Sequence, residues 1–276
     1  MTSRTVVVTG ATNGIGLESA AQLGALGHRL VLVGRNREKL IAAAGRVTGE
    51  GADTVDTVVA DFESLDSVRA AATRIAEVCP RIDVLVNNAG TVYDQRTETR
   101  DGHEATWQVN HLSGFLLTEL LRDRLGPGSR VVTTSSTGHH QGTMDLDDVG
   151  FERGGYGIMR AYSRSKLANV LHTRWLAREL EPVGVTVNCL HPGAVATDIW
   201  SGAPWFARPV LAVAKRFMRS PADGGARITY LAVDPAVEGE SGGYYDNDRL
   251  TEPAELARED ALGERVRELS RQQVGL

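Results

Sequence analysis

Short β-branched runs alternate with helix-length segments rich in Ala, Leu and Arg along nearly the whole chain. That alternation constrains the fold more than any single residue does. The runs are Thr5–Val8, Arg29–Val33, Val55–Val59, Val84–Val86, Arg130–Thr134, Val185–Cys189 and Gly243–Tyr245. Helices are expected at about 15–26, 36–49, 65–78, 102–124, 160–181, 222–233 and 253–272. Strand, helix and strand repeated with short connections imply a parallel sheet with helices on both faces, a doubly wound α/β fold. No linker, charge block or internal repeat divides residues 1–276, which read as one domain.

Composition narrows the function classes. Thirty Lys and Arg against 35 Asp and Glu leave a net charge of -5, so there is no basic excess to neutralise a phosphate backbone, and nucleic acid is not an expected partner. The longest apolar runs, such as Val6–Val8 and Leu30–Val33, fall far short of the roughly 20 residues a membrane helix needs. Met1-Thr2-Ser3-Arg4 leads directly into a strand pattern with no basic-then-apolar leader, so a cytoplasmic location is expected. The two cysteines, Cys79 and Cys189, could form at most one bridge and read more simply as small buried residues in a reducing compartment.

The first strand runs straight into Thr9-Gly10-Ala11-Thr12-Asn13-Gly14-Ile15-Gly16, which opens a helix. Glycines let the backbone turn sharply and approach a pyrophosphate, and a helix N-terminus offers unpaired N–H groups and a positive dipole end. A glycine-rich turn that binds nothing is the bland alternative, and the strand-turn-helix setting argues against it. The spacing Gly-x-x-x-Gly-x-Gly resembles that of the classical short-chain dehydrogenases/reductases, and further matches cover almost the whole chain. Asn87-Asn88-Ala89-Gly90 follows the fourth strand, Tyr162-Ser163-Arg164-Ser165-Lys166 resembles the family's YxxxK, and Pro192-Gly193 resembles its turn after the sixth strand. Trp107-Gln108-Val109-Asn110-His111-Leu112, the run Ser165–Leu171, His191-Pro192-Gly193 and Gly242-Gly243-Tyr244-Tyr245 are similar to the retinol-dehydrogenase-like branch. This resemblance implies a Rossmann-type sheet and a nicotinamide cofactor. Many animal members of the branch carry an N-terminal membrane anchor, and the start of this sequence suits a soluble, bacterial-type relative instead.

A carbonyl reduction needs a hydride donor beside the carbon and a proton donor beside the oxygen. Tyrosine, with a reference pKa of ~10, serves only if its anion is stabilised. A lysine four residues later lies one turn away on the same helix face, and Tyr162 and Lys166 have that spacing. An amphipathic surface pair is the plain alternative. Composition weighs against it: Lys39, Lys166 and Lys215 are the only lysines among 30 basic residues, so an undemanding surface cation in this chain is ordinarily Arg. A guanidinium cannot replace a compact ammonium aimed at a phenol and a ribose.

Ser135 and Ser136 end the fifth strand, where a hydroxyl can orient a substrate carbonyl. The resemblance points to Ser136 as the catalytic serine, with Ser135 the runner-up. The gap to Tyr162 is longer than in the family because a loop containing Met144–Gly155 is inserted. Asn110 resembles the residue that fixes a water near the lysine, and a buried amide satisfying a helix irregularity is the other reading.

The implied cofactor set is Gly10, Thr12, Asn13, Gly14, Ile15 and Gly16; Arg35; Asp61 and Phe62; Asn88, Ala89 and Gly90; Tyr162 and Lys166; and Pro192, Gly193, Val195 and Thr197. The Val195 backbone and Thr197 hydroxyl are candidates for the carboxamide and phosphate. Asp61 is expected at the adenine amine. After the second strand comes Val33-Gly34-Arg35-Asn36-Arg37, with no carboxylate to bond ribose hydroxyls and with Arg35 able to stack on adenine and pair with a 2′-phosphate. NADP(H) is therefore expected over NAD(H). His191 reads as structural. His139 and His140 lack further ligand spacing, so no metal site is expected.

Two connections exceed what the architecture requires, Gly138–Met159 and Asp198–Ser220. The second, a lid at about 198–220, holds Trp200, Trp205, Phe206, Phe217 and Met218 with Arg208, Lys215, Arg216 and Arg219 interspersed. A membrane-surface helix is one reading; a substrate lid with solvated cations is favoured by its position. Its aromatics imply a mainly apolar carbonyl or alcohol substrate of medium to large size. Family members often pair across helices matching 102–124 and 160–181, so a homodimer or homotetramer is expected, with Leu167, Val170, Leu171 and Leu176 as apolar surface unless they face the sheet. The competing functions are a catalytically idle nucleotide-sensing or scaffold protein and an epimerase or dehydratase on the same fold. The retained Tyr–Lys pair weighs against the first, and the compact C-terminal segment against the second.

Overall fold

The computed structural model describes residues 2–193 and 219–276. Its sheet has the order β3-β2-β1-β4-β5-β6-β7-β8, parallel throughout except for the last pair. The strands are β1 (Thr5–Thr9), β2 (Arg29–Gly34), β3 (Val55–Val59), β4 (Val84–Asn87), β5 (Arg130–Thr134), β6 (Thr186–His191), β7 (Tyr244–Asp246) and β8 (Arg249–Thr251). The helices are α1 (Gly14–Ala25), α2 (Arg37–Gly49), α3 (Leu65–Val78), α4 (Ala105–Trp107), α5 (Ser113–Leu121), α6 (Ile158–Leu180), α7 (Pro221–Val233) and α8 (Asp260–Val274).

Alternation along β1 shows why the sheet is covered twice. Val7 joins Val31, Leu85 and Val131 in a core with α3, α5 and α6, while Val6 and Val8 join Leu30, Leu32, Val84 and Val86 in a second core with α1, α2 and α7. With both faces buried, no polar alternation is needed, hence the Val and Leu runs. The chain reverses its winding direction at β1, between β2 and β4, and opens a crevice at the carboxyl ends of those strands.

Two expected helices differ, and one strand is additional. The helix expected at 102–124 is broken into α4, a π-helical turn at Gln108–Leu112 and α5. The helix expected at 253–272 is a 3-10 turn, Glu255–Arg258, followed by α8. Strand β8 was not anticipated; it returns from β7 through a two-residue hairpin in which Asn247 takes φ 57, a left-handed conformation that Asn tolerates. Leu167, Val170, Leu171 and Leu176 are buried in one core with Val266 and Val274 of α8, so these four side chains are covered within the chain itself.

The long connection before α6 is organised by Arg164. Its guanidinium donates to the carbonyls of Thr143 (3.0 Å), Asp148 (2.6 Å) and Val149 (3.1 Å) and lies 3.9 Å from the centroid of the Phe151 ring. Arg164→Leu removes the guanidinium from the Thr143 and Val149 carbonyls and leaves the Asp148 carbonyl the long bond from the Phe151 N–H (3.4 Å), and we expect a loss of about 2–4 kcal/mol in denaturant unfolding. An unchanged denaturation midpoint would show that other contacts hold the loop.

Candidate active site

The crevice is a cleft of about 1100 Å³ bounded by the turns after β1, β2, β3, β4, β5 and β6. Gly10 turns at φ +67, and a side chain on Gly16 would strike the Gly10 carbonyl and the Asn88 amide. α1 then starts at Gly14 with no side-chain cap from Asn13, whereas Asn36 caps α2 and Ser64 caps α3. The first N–H groups of α1 therefore face the cleft without a capping side chain, as an anion-binding turn requires. Thr9 stitches this turn to the next one: its hydroxyl donates to the Val86 carbonyl and accepts from the N–H groups of Asn88 (2.9 Å) and Ala89 (3.1 Å).

At the other end of the cleft the two adjacent serines separate by role. The Ser135 hydroxyl is buried and donates to the Lys166 carbonyl at 3.0 Å. Ser136 instead accepts from the Gly138 N–H at 3.1 Å, and its hydroxyl bonds the Tyr162 phenol. Lys166 sits one turn from Tyr162 on α6, its Nζ 3.0 Å from the Thr134 carbonyl and 5.6 Å from the centroid of the Tyr162 ring. Asn110 lies in the π-helical turn behind this wall. Its side chain is saturated by the Thr91 backbone (2.7 and 3.0 Å) and the Ser165 hydroxyl (3.0 Å). Its carbonyl accepts from Asn169 Nδ2 at 2.9 Å. The Asn110 amide thus ties the π-helical turn to the loop at Thr91, while the carbonyl freed by the irregular helix is satisfied by the Asn169 side chain.

The short chain dehydrogenase family matches residues 4–204. A Streptomyces sp. (strain C5) protein whose name proposes a daunorubicin C-13 ketoreductase is 41% identical over 274 residues, 99% of this chain and 93% of that protein. Retinol dehydrogenase 14 of Mus musculus is 39% identical, covering 100% and 87%. The chain is a short-chain dehydrogenase/reductase. It falls in the retinol-dehydrogenase-like branch of that oxidoreductase family. A short chain dehydrogenase from Burkholderia cenocepacia J2315, solved in complex with NADP, superposes with TM-score 0.70 at 28% identity over 89% of this chain and 96% of that one.

Electrostatics in the short-chain dehydrogenase/reductase site follow from burial. Loss of water around Tyr162 pushes its phenol above the ordinary value, partly opposed by the Ser136 hydroxyl. Burial likewise pulls Lys166 down to about 8. At neutral pH the pair is therefore a protonated phenol beside an ammonium. His191 borders the cleft, half-buried, and burial also lowers its pKa.

Gly10, Thr12–Gly16, Arg35, Asp61, Phe62, Asn88, Ala89, Gly90, Ser136, Tyr162, Lys166, Pro192 and Gly193 all line the cleft; Asn110 stands behind it. Val195, Thr197 and all of the lid but Arg219 and Ser220 lie outside the described residues. One oxygen of Asp61 accepts from the Glu63 N–H at 3.1 Å. Lys39, Asn36, Glu63 and Tyr93 also line the cleft and were missed. A signal for Lys39 was present: the scarcity of lysine that singles out Lys166 applies equally to it. Arg35 pairs with Glu63 at 3.3 Å, and Glu63 also bonds the Tyr93 phenol. Among the described residues no group of three or more His, Cys, Asp or Glu is arranged to hold a metal, and no helix is long and apolar enough to cross a membrane.

Proposed function

We propose that the chain is an NADP(H)-dependent oxidoreductase that interconverts a carbonyl and an alcohol on a mainly apolar substrate, with Tyr162 as acid/base. The observation that carries this reading is the continuity of one cleft from Arg35 and Lys39, past the uncapped start of α1, to Ser136, Tyr162 and Lys166. The fit to a dinucleotide rests on the glycine turn and the α1 N-terminus described above, with Arg35 and Lys39 at the adenosine end. When bound, the nicotinamide supplies or accepts the hydride at the carbonyl carbon. Ser136 orients the substrate oxygen, Tyr162 donates a proton to it in reduction, and the Lys166 ammonium favours the resulting phenolate. Asn110 holds the loop beside Lys166 in place.

Similarity to a protein whose name proposes a daunorubicin C-13 ketoreductase and to retinol dehydrogenase 14 supports a carbonyl or alcohol substrate, and the aromatics of the lid sequence support an apolar one. The test is purified protein with NADPH or NADH across a panel of polycyclic ketones, retinoids, steroids and long-chain aldehydes. We expect turnover of at least one class with NADPH preferred by about tenfold or more in kcat/KM, the value of one charge-assisted contact. Cofactor binding without turnover of any carbonyl or alcohol would favour an idle sensor. The expected homodimer or homotetramer cannot use Leu167, Val170, Leu171 or Leu176, which are consumed inside the protomer. Light scattering giving only monomer at micromolar concentration would reject association. A cytoplasmic location completes the proposal.

A further inference from the structure

His139 is fully buried behind the cleft, in the 3-10 turn Thr137–Gln141 that follows Ser136. Both ring nitrogens meet backbone groups. Nδ1 lies 2.7 Å from the Ser136 carbonyl, and Nε2 accepts from the Ala254 N–H at 3.0 Å. A carbonyl can only accept and a backbone N–H can only donate, so one tautomer satisfies both: neutral imidazole with its proton on Nδ1. Burial, which drives the His139 pKa down to about 4, keeps the ring in that neutral form. The ring is also packed at 4.5 Å, centroid to centroid, against Tyr244 of β7.

From this arrangement we infer that His139 is a positioning residue for Ser136: its Nδ1–H holds the turn that aims the Ser136 hydroxyl at Tyr162, and the Ala254 N–H keeps the ring in the tautomer that can donate. The inference rests on the proposed roles of Ser136 and Tyr162. The Ser136 side chain has one neighbour that depends on the same turn: the Gly138 N–H that donates to its Oγ at 3.1 Å. Loss of the Nδ1 contact leaves the Ser136 carbonyl held by the His139 backbone N–H at 3.1 Å without the shorter side-chain bond, and this loosens the turn that carries both the hydroxyl and its Gly138 partner. Gly142, which closes the turn, is packed so closely on α6 that a side chain there would lie 2.7 Å from the Ser163 carbonyl. The C-terminal segment thereby reaches a reacting group that it does not touch.

Two substitutions separate the halves of the contact. His139→Asn places an amide N–H where Nδ1 stands and loses the acceptor for Ala254; His139→Gln keeps an acceptor for Ala254 and loses the donor to Ser136. With a ketone from the panel and NADPH, we expect His139→Gln to lower kcat by about a hundredfold at unchanged KM and NADPH affinity, and His139→Asn to retain kcat within about fivefold. Equal losses in both variants, or normal kcat in His139→Gln, would overturn the inference. Tyr162→Phe is run alongside: if it turns over normally, the proposed function fails, and if it is inactive while His139→Gln is normal, only the role of His139 fails. Independently of any substrate or variant, 15N NMR of the histidine-labelled parent at pH 7 should show His139 as the Nδ1–H tautomer. A proton on Nε2, or averaging between tautomers, would equally reject the role.

Discussion

Tyr162→Phe is expected to lower kcat for carbonyl reduction by about a hundredfold to ten-thousandfold while leaving NADPH binding nearly unchanged, because it deletes the proton donor and keeps the ring. Burial holds the Tyr162 phenol above its ordinary value, so the proton remains in place through the neutral range. The pH dependence follows with a definite sign. Reduction consumes the protonated phenol beside a charged Lys166, whose ammonium is lost as pH rises through about 8. Reductive kcat should therefore be flat below that pH and fall above it. Oxidation of an alcohol needs the phenolate and should rise with pH until the lysine charge is lost. Steady-state rates in both directions between pH 6 and pH 10 test this, and near-normal kcat in Tyr162→Phe with any good substrate would remove Tyr162 from the mechanism.

What the sequence conveyed and what it hid divide along physical lines. Strands β1, β2 and β4 were legible because burial on both faces demands unbroken apolar runs, whereas β3, with Asp56 and Thr57 and only Val58 buried, was legible from its β-branched residues. Strand β8 was not, since Arg249, Leu250 and Thr251 are all exposed and owe their pairing to the Asn247 turn. The π-helical turn was hidden for a different reason: Gln108–Leu112 keeps a helical pattern, and the extra residue is accommodated by distant partners, including Asn169 on α6. Adjacent strand residues point to opposite faces, so Ser135 and Ser136 could be ordered from sequence only through family resemblance. The structure separates them by what each hydroxyl bonds. His139 could not be read at all as more than half of a His-His pair, because its two partners stand at positions 136 and 254.

Replacing both Arg35 and Lys39 by alanine is expected to lower kcat/KM with NADPH by about a hundredfold and to change the value with NADH far less. A 2′-phosphate is a dianion, and each of these cations can offer it a charge-assisted hydrogen bond. The ion pair between Arg35 and Glu63 does not oppose this, since Arg35 is 75% exposed and such a pair is worth little in water. A phosphate with greater charge can take the guanidinium while Glu63 keeps the Tyr93 phenol. The same logic gives Glu63→Gln the opposite sign: removing the competing carboxylate should strengthen NADPH binding and leave NADH nearly unaffected. Initial rates at varied cofactor concentration test both variants together. If NADH and NADPH lose kcat/KM equally in the double variant, these side chains serve the cleft wall and not cofactor choice. If NADH is the better cofactor of the unmodified chain, the absence of a carboxylate at the end of β2 has been misread, and Glu63 becomes the group that bonds the ribose.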